Sequence, residues 1–413
     1  MNEQERTTNT GSPYEEGALK VSRLTPMEVI FTIVGCGIGS GCLGTAYSAR
    51  LAGFPVITFW LIVSGITTLF SMYYVAETAL RTRKLVQLPG LAERYVGPIG
   101  KILIFLAVTL NSFSCLIAYF DGSADIINSL LGVPGWVGTL MFLIPGMLVV
   151  WMGLKAVGMA GKYLSIAMAL MLIILCGASL ISKDADLSRL FTSNWSYAIP
   201  IFNVAAFSYI GQYLVPDLAR GLSHDPKKLA PAMLVGQIIT AALLILVPLG
   251  CFAMSPADEI TEVATIAWGQ ALGSWAMFVA NIFALCAMMT SYWAVGGSML
   301  TNIVDMFKFK SENHVPTRLI SLACVALPPF ILAYSGLVSF VDAIYLAGTF
   351  GGVIMSILPA LMVNSARKNG DMEPPWKCGW YSARWVQVLI ITLFCAAALY
   401  AVLDLVGILP SGW

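Results

Sequence analysis

Apolar residues in this chain come in blocks of roughly 20 or more, one after another, separated by short charged connections. As a helix rising about 1.5 Å per residue, such a block crosses a hydrocarbon core about 30 Å thick. Repeated blocks therefore mean repeated crossings. They fall at about 26-52, 54-79, 102-131, 135-154, 160-181, 198-220, 229-253, 264-305, 316-335, 337-363 and 386-408. Composition agrees: 58% of the 413 residues are hydrophobic and 11% charged, whereas a soluble domain carries about 25% charged residues. The expected fold class is an all-α polytopic membrane protein with about 11 transmembrane helices in contact with a lipid bilayer.

Several chemistries are excluded early. The nine cysteines show no CxxC spacing, and His224 and His314, the only histidines, fall between the blocks, so a metal or histidine-based catalytic centre has no ligands. HExxH and GxSxG do not occur, which argues against an enzyme. A net charge of +1 without a basic stripe gives nucleic acid nothing to bind. The stretch Gly39 to Gly44 matches GxGxxG but lies inside an apolar block with no strand before it, so it is no dinucleotide site.

Charge sets the orientation. With an N-terminus in the cytoplasm, only Arg50, Lys183 and Arg189 of the 23 basic residues fall outside. That bias predicts an inner-membrane protein with a cytoplasmic N-terminus and, for an odd helix count, an outward C-terminus. Residues 1-25 are polar and expected to be a disordered cytoplasmic tail. Five crossings in 26-182 and five in 183-364 give the halves opposite topology, as in inverted-repeat transporters, with 365-413 supplying a cytoplasmic loop and an eleventh helix. Between the second and third crossings, Leu88 to Gly97 reads as a short interfacial helix.

Corresponding crossings of the two halves are interrupted. The first carries Gly35, Gly37, Gly39 and Gly41, and the sixth carries Ser208, Gly211 and Pro216. Each such glycine weakens a helix by about 1 kcal/mol relative to alanine. Their spacing also fits small-residue helix packing. Unwound backbone at membrane depth survives only where it is buried or lines a cavity, so paired breaks point to a midplane binding site. Acidic residues Asp121, Asp125 and Asp342 fall in the outer part of the membrane on the side of Arg50. They form either an acidic vestibule or ion-paired gate with Arg50, or simply mark the aqueous boundary. Thr290 and Ser291, deep in the eighth crossing, are either functional hydroxyls or back-bonded to their own helix.

Taken in order, GIGSGCLGTAYSARLAGF, GLAERYVG, IAYFDGSADII, AIPIFNVAAFSYIGQYLVPDL, MTSYWAVGG and LDLVGILP make the chain resemble bacterial aromatic amino acid permeases, the tyrosine and tryptophan carriers. The resemblance covers nearly the whole chain. It implies a LeuT-type fold with a 5+5 inverted repeat plus one helix, and secondary active symport of a neutral or aromatic amino acid with a cation. An amino acid receptor on the same fold is the alternative. Carried over residue by residue, the resemblance assigns Gly39, Ser40 and Gly41 to the substrate carboxylate. Gly37, Phe207 and Ser208 go to the ammonium, with Tyr119 and Phe207 closing over the side chain. For Na+ as coupling ion it implies carbonyls of Gly35, Ile38 and Ala287 and hydroxyls of Thr290 and Ser291. Proton coupling is the rival, although Met168 stands where some proton-coupled relatives have a lysine, and Lys162 lies two turns away. Asp121 and Asp342 depart from the uncharged residues expected of aromatic carriers.

Overall fold

The computed structural model describes residues 14–335, 345, 347–406 and 408; Asp342 lies outside them. Among the described residues, eleven helical segments are long and apolar enough to span a membrane, as expected. The first is built of two pieces, α1 (Pro26–Gly37) and α2 (Ser40–Ser48). Then come α3 (Phe54–Leu80), the short α4 (Leu88–Tyr95), α5 (Pro98–Leu131), α6 (Gly135–Met152) and α7 (Leu154–Ile181). The sixth span is again divided, into α8 (Ala198–Phe207) and α9 (Val215–Gly221). After α10 (Leu229–Met254), α11 (Ala264–Leu272) and α12 (Ser274–Met306), the chain continues through α13 (Val315–Ala333), α14 (Gly352–Asn369) and α15 (Arg384–Leu405).

The eighth crossing differs from the sequence expectation. One helix over 264–305 is replaced by α11 and α12, separated at Gly273, whose φ of +100° lies in the left-handed region that favours glycine. The third crossing is long, as expected, at 34 residues. The two broken spans are the most enclosed: 94% of the residues in the apolar window of Trp195–Gly221 and 82% in that of Pro26–Ser48 are buried, against 33% for Leu154–Ile181. A broken helix has open carbonyl and amide groups that lipid cannot satisfy, so it must stand inside the bundle. Around it, α1 packs on α10, α7 and α12, while α5 packs on α6, α12 and α13.

The N-terminal segment is also corrected. Residues 14–25 are not a free tail but lie across the basic end of the bundle. Glu15 N donates to Arg83 O, and Leu24 N donates to Gly221 O at 2.9 Å. Leu24 is buried against Gly158 and Gly221. Thr25 then caps α1 in a capping box with Glu28, whose carboxylate also takes Lys155 Nζ at 2.7 Å from α7. Sequence polarity suggested solvent; the buried side chains are the apolar minority, Tyr14, Leu19 and Leu24.

Charges hold the same end together. Glu77 near the end of α3 is fully buried, and accepts from Arg81 Nε (3.0 Å), Arg367 Nε and Nη2 (2.9 and 2.8 Å) and Cys378 N (2.8 Å). Outside the spans, Arg94 hydrogen-bonds Asp371 and holds its carboxyl below the usual carboxylate range, with Arg83 N adding to the effect. Removing one member of a buried, saturated cluster strands the others, at about 3–5 kcal/mol. Glu77→Ala should therefore lower stability by about that amount in thermal melts of the purified protein, and a loss below about 1 kcal/mol would contradict the role given to it. Orientation is testable separately. A cysteine replacing Glu259, exposed between α10 and α11, should react with an impermeant reagent on intact cells, whereas one replacing exposed Lys310 should react only after the membrane is opened.

Candidate functional site

The two helix breaks meet at the centre of the bundle. The first is short: α1 ends at Gly37, and Gly39 is the N-cap of α2. The second runs from Ser208 to a turn at Gln212–Leu214, and every residue in it is buried. Their closeness depends on missing side chains. A Cβ on Gly41 would come within 2.5 Å of Ser208 Oγ, and one on Gly37 would meet Ser208 O at 3.2 Å and overlap Thr240.

A small cavity lies between them. Gly37, Gly39, Gly41, Tyr119, Phe207 and Ser208 all line it, so six of the seven residues assigned to substrate from the sequence come together there. The seventh, Ser40, is the first residue of α2, where the opening N–H groups of a helix have no intrahelical acceptor and the dipole favours an anion. At the other break, Phe207 O accepts from Ile210 N at 3.1 Å, so the Phe207 carbonyl is already engaged. The sequence reading missed Cys36, Asn111, Cys115, Ile210 and Tyr213, which complete the lining. Asn111, Cys115 and Tyr119 follow i, i+4, i+8 on α5, a spacing that was open to find once Tyr119 was chosen.

A second cluster of oxygens lies where α1 meets α12. Gly35 O accepts from Thr290 Oγ1 at 3.1 Å and from Ser291 Oγ at 2.7 Å; Thr290 Oγ1 is also 3.0 Å from Ala287 O, and Ser291 Oγ 2.9 Å from Cys36 O. The two hydroxyls thus link four of the five groups assigned to a cation, while Thr290 Oγ1 also back-bonds to Cys286 O of its own helix at 3.2 Å. Ile38 O is not among them and accepts from Cys42 Sγ instead. A Cβ on Gly35 would meet Ser165 Oγ at 2.9 Å and Thr290 Cβ at 3.0 Å, which brings Ser165 of α7 to this cluster, another residue the sequence reading did not name. Met168 Sδ lies 3.8 Å from Thr290 Oγ1, where a lysine would have had to reach, while Lys162 Nζ sits over the Tyr163 ring. Among the described residues no group of three or more His, Cys, Asp or Glu forms a metal centre.

The outer charges do not form an ion-paired gate among the described residues. Arg50 lies 3.8 Å over the Tyr47 ring and donates to Tyr47 O at 2.9 Å; no carboxylate pairs with it. Asp125 and Glu262 are the charges that bear on half-buried Asp121. Asp342 lies outside the described residues, so its part in this group is not described.

At the opposite end the bundle is closed by a network absent from the sequence reading. Arg220 of α9 donates through Nε to Asp217 (2.8 Å), through Nη1 and Nη2 to Glu312 (2.5 and 3.1 Å), and to Lys20 O (2.9 Å). Glu312 in turn accepts from Lys20 N at 2.8 Å. Asp217 also takes Gln87 Nε2 and Thr301 Oγ1. Asp217, Arg220 and Glu312 themselves line a small cavity together with Thr32, Leu154, Trp293 and Arg318.

A model of the tryptophan/tyrosine permease family matches residues 25–401. The chain is similar to the tyrosine-specific transport system 1 of Haemophilus influenzae, 23% identical over 397 residues that cover 90% of this chain and 95% of that protein. It is also similar to a tryptophan-specific transport protein of Pseudomonas aeruginosa, 25% identical with 81% and 85% covered. Among solved structures, MhsT in complex with L-phenylalanine superposes with a TM-score of 0.65 at 16% identity, covering 92% of this chain and all of that one. Mhp1, a nucleobase-cation-symport-1 family transporter with bromovinylhydantoin bound, superposes with a TM-score of 0.64 at 12% identity, with 95% and 94% covered. The shared fold is of the LeuT type, as the resemblance implied.

Space at the crossing of the two breaks gives a direct test. Gly41→Val forces two methyl groups into Ser208, and overpacking of about 1–3 kcal/mol concentrated at the cavity should cut uptake of the ligand at least about tenfold without loss of membrane insertion. Adding Ser208→Gly should restore part of it. Full activity in Gly41→Val would show that the crossing does not shape the binding site.

Proposed function

The chain belongs to the tryptophan/tyrosine permease family, and from that footing we propose that it carries an aromatic or other neutral amino acid into the cell across the cytoplasmic membrane, driven by symport of a cation. It is a transport protein rather than an enzyme. The observation that carries the proposal is the shared use of one broken helix: α2 begins at the cavity, and the last turn of α1 ends on the hydroxyls of α12.

A zwitterion at mid-membrane needs donors for its carboxylate and acceptors for its ammonium, without water. The N-terminus of α2 at Gly39, Ser40 and Gly41 supplies donors and a favourable dipole, and Tyr119, beside Gly39 and Ser291, adds a hydroxyl. Carbonyls of Gly37 and Ser208 at the ends of the two broken helices supply acceptors. Phe207 contributes its ring over the side chain. The tyrosine- and tryptophan-specific transport of the relatives, and the L-phenylalanine held by the superposed MhsT, support an aromatic substrate.

Sodium is the favoured coupling ion, because a hard cation is held by carbonyl and hydroxyl oxygens, the set formed by Gly35, Ala287, Thr290 and Ser291. Such an ion would take the lone pairs of these oxygens, and the two hydroxyls would turn their protons toward other acceptors. Met168 at the lysine position removes the ammonium that would otherwise stand in for the ion. Mhp1, which shares the fold and belongs to a cation-symport family, is consistent with this reading.

With the N-terminus in the cytoplasm, the Arg220 network closes the inner end, and entry of the substrate into the cell requires Arg220 to leave Glu312 and Asp217. The two halves, 26-182 and 183-364, would move against each other around the fixed breaks.

Uptake of radiolabelled L-tyrosine into proteoliposomes should rise at least about tenfold when an inward Na+ gradient is imposed at fixed pH, and Thr290→Ala with Ser291→Ala should abolish that rise. Uptake indifferent to Na+ and driven by a pH gradient would transfer the role to H+. Binding without counterflow of labelled substrate would replace transport by a receptor.

A further inference from the structure

Asn111 stands apart from the rest of the cavity lining. It is only 1% exposed, in the middle of α5, and its Oδ1 has no hydrogen-bond partner among the described residues. Its amide nitrogen has a single weak contact, Cys115 Sγ at 3.9 Å. A side-chain amide can make up to four hydrogen bonds, and one left open in a protein interior is destabilising. Gly351, in the helical turn at Ala347–Gly351, packs close behind it: a Cβ there would come within 3.2 Å of Asn111 Cβ.

The cavity therefore has two polar ends. One carries the N-terminus of α2 and the Tyr119 hydroxyl. Asn111 lies about two turns earlier on the same face of α5, with Cys115 between it and Tyr119. Between them the wall is Cys115, Phe207, Ile210 and Tyr213. A ligand in this cavity would meet an apolar wall and, at Asn111, an amide whose acceptor is open among the described residues.

We propose that Asn111 reads the distal polar group of the substrate side chain, the phenolic hydroxyl of tyrosine or the indole N–H of tryptophan, and so selects these against phenylalanine and aliphatic amino acids. This rests on the assignment of the cavity as the amino acid site. An amide is suited to both groups, since Oδ1 accepts from an O–H or N–H and Nδ2 donates to a phenolic oxygen. Phenylalanine fills the same apolar wall but leaves the amide open, and a site built to hydrogen-bond a hydroxyl rejects the analogue that lacks it far more strongly than an apolar pocket rejects a missing methylene.

The test is competition against radiolabelled L-tyrosine on the purified protein, with unlabelled L-tyrosine, L-tryptophan, L-phenylalanine and O-methyl-L-tyrosine as competitors. On the unmodified protein, tyrosine or tryptophan should compete at least about tenfold better than phenylalanine. In Asn111→Leu, close in volume and without the amide, that ratio should collapse toward one. The measurement on the unmodified protein stands even where Asn111→Leu does not fold. Phenylalanine competing as well as both tyrosine and tryptophan, or an unchanged ratio in Asn111→Leu, overturns the role of Asn111 while leaving the cavity as an amino acid site. Failure of any amino acid to bind refutes the cavity assignment itself, and this inference with it.

Discussion

One carbonyl oxygen, that of Gly35, fixes the centre of this protein. It accepts from both Thr290 and Ser291, and this double contact ties the end of α1 to the middle of α12. The approach is possible only because Gly35 and Gly39 have no side chains; a Cβ on either would run into Thr290 or Ser291. With α1 held there, its helix ends two residues later and α2 restarts, so the opening amides of α2 lie within a few residues of Gly35 O. In the proposed reading, a solute at either place bears on this one short segment. Coupling between two solutes then needs no long route through the fold, since both bias the position of one short segment.

The closed end rests on the same economy. Arg220 is 4% exposed and is satisfied by two carboxylates and a backbone carbonyl drawn from the N-terminal segment, α9 and the connection before α13. Buried charges of this kind contribute little net stability but are severely destabilising when half broken. A network of that character gives a bundle two well-defined arrangements rather than a continuum, because partial separation leaves a charge without a partner. The docking of residues 14–25 makes the N-terminal segment part of this device.

Much of the fold was legible in the sequence, for a simple reason: lipid demands long apolar helices and tolerates few exceptions, so the exceptions stand out. The glycines of the first span and the Ser208–Gly211 stretch were visible as exceptions, and Gly37, Gly39, Gly41, Ser208 and Ile210 from them line the cavity. Thr290 and Ser291 were visible as hydroxyls in an apolar block; both reach Gly35 O, and Thr290 also back-bonds to Cys286 O and Ala287 O. What stayed hidden depends on tertiary approach. Asn111 and Ser165 are ordinary polar residues until the bundle brings one beside Phe207 and the other beside Gly35. Arg220, Glu312 and Gln87 are far apart in the chain; Arg220 meets Glu312 directly, and Gln87 joins them through Asp217. The Arg50 gate was suggested by shared depth in the membrane, but depth does not fix direction, and Arg50 turns to Tyr47 of its own helix.

The central claim is that the amino acid and cation sites share the α1–α2 break, and equilibrium binding tests it without any transport step. The affinity of the purified protein for L-tyrosine should be measured at increasing Na+ with ionic strength held constant, and the affinity for Na+ at increasing L-tyrosine. Shared use of the break predicts that each strengthens the other by the same factor, on the order of 5–150-fold. An affinity for L-tyrosine that stays constant from zero to saturating Na+ would contradict it.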